Sequence, residues 1–150
     1  MGASEPLLAM IATRTTALPS PDALADALGS LGLPAAVESL DGHLSVSPKD
    51  GPTTHVTAVG TPHPGVGDEA IGAAPVDREA FAATTAHLLV SVPGGQGHLA
   101  AERVCACVTA GLLSLRDDAA AVYHGPCPAP LHPDFHLAVV RDTPPAELPV

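Results

Sequence analysis

Ala86-His87-Leu88-Leu89-Val90-Ser91-Val92-Pro93-Gly94-Gly95-Gln96-Gly97 is the stretch on which the fold turns. Its first seven residues are nearly all apolar, as in a strand buried on both faces, and Pro93 to Gly97 close it with a turn. A helix is expected next, because Ala101, Val104, Cys105, Val108, Gly111, Leu112 and Leu115 fall at i, i+3, i+4, i+7, i+10, i+11 and i+14, one stripe of a helix of period 3.6. Leu113 lies off that stripe, so its truncation should cost less than that of Leu112. Gly111 lies on it although glycine costs about 1 kcal/mol relative to alanine inside a helix, which implies a close approach to the sheet. Arg116-Asp117-Asp118 ends the helix and Ala119 to Tyr123 starts a second buried strand. Residues 86–124 therefore read as a β-α-β unit, which is usually parallel and right-handed.

Outward from this unit, Pro6 to Ala12 is a buried first strand. Ser20-Pro21-Asp22 then signals a helix start, with a capping hydroxyl, a proline preset for the first turn and an acid that complements the dipole. Leu24, Ala27, Leu28 and Leu31 form its inner face and Gly32 its stop. Ala35 to Leu40 and His43 to Ser47 are strands joined by Asp41-Gly42, a two-residue hairpin signal. His55 to Gly60 is a further strand, and Thr61 to Pro75 an extended, proline-stiffened loop. Asp77 is placed to cap a short helix running to His87. Each half of the chain passes from strand through helix back to the sheet, and the expectation is a single α+β domain over residues 1–150, with a mixed β-sheet and helices packed on it.

The chain has 150 residues, enough for one core. It is 46% hydrophobic but only 2% aromatic, with Phe81, Tyr123 and Phe135 its only rings of that class, so Leu, Val and Ala must fill the interior. Six basic against sixteen acidic residues give a net charge of −10, which disfavours nucleic-acid and membrane-surface binding. No apolar run reaches the roughly eighteen residues a spanning helix needs. Leu7 to Ala12 follows Glu5 without a basic region or a cleavage motif, so a cytoplasmic location is expected. Three cysteines, an odd count, are expected as thiols.

On these residues the chain resembles a bacterial family, the domain of unknown function 4261 family. The likeness rests on His87-Leu88-Leu89-Val90-Ser91-Val92, the long helix after it, Ala121-Val122-Tyr123 at the next strand, Pro133-Asp134-Phe135 beyond, and the bend at Pro62-His63-Pro64. It spans nearly the whole chain, with His124 standing where the family is associated with an aromatic. The resemblance implies the fold and assigns no reaction and no catalytic residue.

The best chemical constellation is His124, Cys127, His132 and His136, four potential zinc ligands in thirteen residues. His132 and His136 share a face if Pro133-Asp134 opens a helix. The spacing matches no standard zinc signature, and a solvated, proline-rich loop is the competing reading. Cys105 and Cys107 would point about 200° apart on a helix, so packing explains them better than chelation or redox chemistry. Gly94, Gly95, Gln96 and Gly97 precede a helix N-terminus and form a candidate anion site, with a plain tight turn as the alternative. Ser91 and Ser114 lack a nucleophile elbow. Glu102 and Arg103 read as solvated helix charges, with Glu102 and His98 spaced for a local pair. His87 reads as a hydrogen-bonded structural histidine, and His63 as an exposed loop residue free to meet a partner.

No acid, base and nucleophile converge in the sequence. The reading is therefore a non-catalytic cytoplasmic module that binds a protein partner or assembles with itself, without nucleic acid or membrane. The alternative is a metal-binding protein or metal-dependent enzyme holding zinc at His124, Cys127, His132 and His136.

Overall fold

The computed structural model describes residues 7–49, 51–61, 79, 83–95, 99–124 and 133–142. Among these residues six strands and three helices follow in chain order: β1 (Leu7–Thr13), α1 (Pro21–Ser30), β2 (Ala35–Leu40), β3 (His43–Pro48), β4 (Thr54–Val59), β5 (Ala86–Val92), α2 (Leu99–Ser114), β6 (Ala121–His124) and α3 (Pro133–Asp142). The strands form one sheet in the order β2-β3-β4-β5-β1-β6. This is an α+β fold.

Every strand pairing is antiparallel, where a mixed sheet was expected. The β5-α2-β6 unit still has two strands running the same way, but β1 lies between them and pairs with both. Ile11 is opposite Leu88 on one side and Val122 on the other. The first strand, apolar along its length, thus takes an interior position in the sheet, and α2 crosses over it.

Local chemistry sets the element ends. Ser20 Oγ accepts from the Ala23 N–H at 3.2 Å and Pro21 opens α1. At the other end Gly32 has φ +86°, the Leu33 N–H donates to the Leu28 carbonyl and the Gly32 N–H to the Gly29 carbonyl. That pair of bonds is a Schellman stop, which needs a left-handed residue where Gly32 stands. In the β2–β3 hairpin only Gly42 has positive φ, +83°, the pattern of a type II turn rather than of the primed turns commonest in two-residue hairpins. The helix expected from Asp77 to His87 ends earlier. One turn closes from the Ala83 N–H to the Glu79 carbonyl, and β5 has begun by Ala86 because the strand residues pair with Thr13 and Ala12.

One face of the sheet carries Leu7, Ala9, Ile11, Leu44, Val46, Val56, Leu88, Val90, Val92 and Val122, all buried in a single cluster with side chains of the three helices. The α2 stripe is wider than its periodicity suggests. Every residue from Val104 to Leu113 is buried, because the sheet, α1 and α3 enclose this helix. Leu113 is thus a core residue, whereas Leu115 lies beyond the helix and is exposed. Gly111 does meet a close neighbour, but the neighbour is α1. A Cβ there would stand 3.0 Å from Leu28 Cδ2 and 3.3 Å from Leu24 Cδ1.

Candidate functional site

Of the four candidate zinc ligands, only His136 has a described side chain. Cys127 and His132 lie outside the described residues, and His124 ends β6. His136 sits on α3, buried, with Nε2 3.0 Å from the Ala106 carbonyl on α2. A carbonyl only accepts, so Nε2 carries the proton and ties α3 to α2. Burial pushes the His136 imidazole below its ordinary value, and the bond to Ala106 only partly offsets this. Among the described residues no three His, Cys, Asp or Glu side chains come together to hold a metal ion.

In the glycine-rich turn, Gln96 and Gly97 lie outside the described residues. Gly94 has φ +66°, and the Gly95 N–H donates to the Val92 carbonyl at 3.0 Å, which spends that amide on the turn itself. A Cβ on Gly95 would come within 2.9 Å of both Ala101 and Val92, so this glycine is required by packing. Cys105 and Cys107 are buried free thiols, and burial pushes them up to about 12 and about 11. Both stay protonated near neutrality and behave as small apolar groups. Ser114 donates to the Gly111 carbonyl at 2.7 Å. His87 bonds the Thr61 carbonyl through Nδ1 at 2.8 Å, so it is a structural histidine as read from sequence.

Among the described residues the most densely bonded polar group is one the sequence did not reveal. Arg116 and Asp118 pair at 2.8 and 3.0 Å through both carboxylate oxygens, with side chains 6% and 10% exposed. Asp118 also accepts from the Arg14 and Thr15 amides and the Thr15 hydroxyl, while Arg116 donates to the Ala17 and Thr15 carbonyls. Burial alone would raise the Asp118 carboxyl, but Arg116 and Thr15 outweigh it and hold the group below its ordinary value. The pair lines a surface cleft of about 430 Å³ with Arg14, Leu18 and Pro19. Its hydrogen bonds staple the segment after β1 to the segment before β6.

The second face of the sheet is different. The described helices all pack into the core on the first face. The second face carries a row with one side chain from every strand: Leu40, His43, Thr57, Leu89, Met10 and Tyr123, each opposite the next. A parallel row holds Glu38, Ser45, His55, Ser91 and Leu8. Leu40 is 43% exposed and Leu8, Met10, Leu89 and Tyr123 are half-buried. Glu38 is the only acid or permanently charged side chain on this face among the described residues. His43 and His55 are diagonal neighbours on β3 and β4, their ring centroids 5.5 Å apart with planes inclined at 62°. His55 Nδ1 is shut from solvent without a hydrogen-bond partner among the described residues.

His43 and His55 were within reach of sequence reasoning. Both strands alternate buried and partly exposed side chains, and that alternation puts each histidine on the face opposite Leu44, Val46 and Val56.

No family model matches the chain, and no curated protein or solved structure matches it. Among the described residues no helix is long and apolar enough to cross a membrane.

Proposed function

We propose that the chain is a non-catalytic module that assembles with a second copy through the second face of its sheet. The observation that carries this reading is the six-residue row from Leu40 to Tyr123, apolar at four positions and uncharged apart from histidine, on a chain of net charge −10. Like-charged copies approach most readily through a surface from which their charges are missing. Six strands about 4.8 Å apart span about 24 Å, a width suited to a patch of about 800 Å² per partner. Two such faces would stack as sheets do in a sandwich. The polar clusters of the molecule support a structural role, since Arg116, Asp118, Thr15 and His136 bond to one another or to backbone. The two buried thiols accord with a cytoplasmic location. The likeness to the domain of unknown function 4261 family is carried as a proposed relationship and adds no chemistry.

Sedimentation equilibrium tests the reading. The chain should run as a dimer at micromolar concentration, and Leu89→Arg should run as a monomer with unchanged circular dichroism. A monomeric wild type, or a Leu89→Arg dimer, overturns it.

A further inference from the structure

We propose that His43 and His55 form a two-imidazole site for a divalent transition-metal ion of the zinc and copper class. Imidazole is a borderline ligand that suits these ions. Nitrogen binds zinc at about 2.0–2.1 Å, which puts the ion about 3.2 Å from each ring centroid. At a tetrahedral angle two such centroids stand about 5.2 Å apart. The observed separation is 5.5 Å, with the planes inclined rather than stacked. The centroid separation thus matches that of two imidazoles on one ion.

A second observation is independent of that distance. His55 Nδ1 is buried and has no partner among the described residues, and a buried polar atom normally finds a partner. The strands that carry the pair are fixed by β-ladder pairing, His43 opposite Thr57 and His55 opposite Ser45, so the chelate is built on rigid backbone. No third His, Cys, Asp or Glu joins them among the described residues. In the monomer solvent completes the coordination shell, so the pair can take an ion without self-association.

The test is calorimetric titration of zinc chloride into the untagged, chelator-treated full chain. One ion should bind per chain, and His43→Ala or His55→Ala should each weaken binding at least tenfold. Cys127→Ser combined with His132→Ala should leave it unchanged. Copper(II) electron paramagnetic resonance should show two nitrogen ligands in the wild type and one in each histidine variant, a readout that a folding defect does not mimic. Absence of zinc binding at 100-micromolar protein, binding that survives both histidine substitutions, or binding removed by the Cys127 and His132 changes would overturn the proposal.

Discussion

Leu88 and Leu89 are consecutive residues of β5, yet Leu88 is fully buried under the helices while Leu89 is half-buried on the opposite face. The same contrast runs across the sheet. On the first face Val46, Val56, Val90, Ile11 and Val122 join the helices in one buried cluster, and on the second Ser45, His55, Ser91 and Thr57 interrupt the apolar residues. Period-two alternation lets one set of strands do two things, holding the core on one side and presenting a mixed, nearly uncharged surface on the other.

The sharpest way to break this comparison is to truncate both leucines. Leu88→Ala should cost about 2–5 kcal/mol, the range for a buried leucine, and Leu89→Ala about 1 kcal/mol or less, in line with surface changes. Equal shifts in urea midpoint would show that both faces are packed alike. On α2 the corresponding contrast should vanish, because Leu112 and Leu113 are 0% and 5% exposed. Each truncation there should fall in the same range of about 2–5 kcal/mol.

Next in size is the staple between the two chain segments. Asp118→Ala should cost about 1–3 kcal/mol, because it strands the Arg116 guanidinium and two backbone amides. The Asp118 pKa is lowered on folding, so its contribution is present above the unfolded value of about 3.9 and is lost as pH falls through the lower folded value. Acid unfolding of the Asp118→Ala variant should be correspondingly flatter below pH 4, as followed by circular dichroism.

Two glycines sharpen the same contrast between packed and open positions. Gly111→Val should destabilise by about 1–3 kcal/mol through overpacking against Leu24 and Leu28. Gly29→Ala, where a Cβ meets nothing within 4 Å, should gain about 0.5–1 kcal/mol in helix propensity. Thermal unfolding of the pair should show opposite signs.

The smallest expected effect belongs to His136. Its folded pKa lies below the unfolded value of about 6.5, so the neutral ring contributes stability above that pH, and the contribution is lost as pH falls through the folded value. Wild-type melting temperature should decline below pH 6.5, and His136→Gln should decline less.

Local signals made the elements legible. Ser20 with Pro21, Gly32, and Asp41 with Gly42 mark their element ends in sequence, and the structure puts ends there. Sheet order was not legible, because nothing in Leu7 to Thr13 tells which distant strands will flank it. The Arg116–Asp118 staple stayed hidden for the same reason, since Thr15 and Asp118 are 103 residues apart. Conversely, the His124 to His136 spacing shows a line of potential ligands along the chain and nothing of the bond that ties His136 to Ala106. Burial of α2 on all sides also escaped its pattern, because small residues such as Ala106, Cys107 and Ala110 fill faces that a stripe of large apolar residues would leave to solvent.

The place of β1 between β5 and β6 sets a timetable for synthesis. The meander β2-β3-β4 pairs strands made one after another, so it can form as it emerges. Ala9 must wait for Val90 and then for His124. At about 5–20 residues per second, the seven-residue first strand spends on the order of ten seconds with both edges open. The nascent chain therefore exposes its most apolar strand longest, and translation speed through residues 14–92 sets how long other unpaired strands have to capture it.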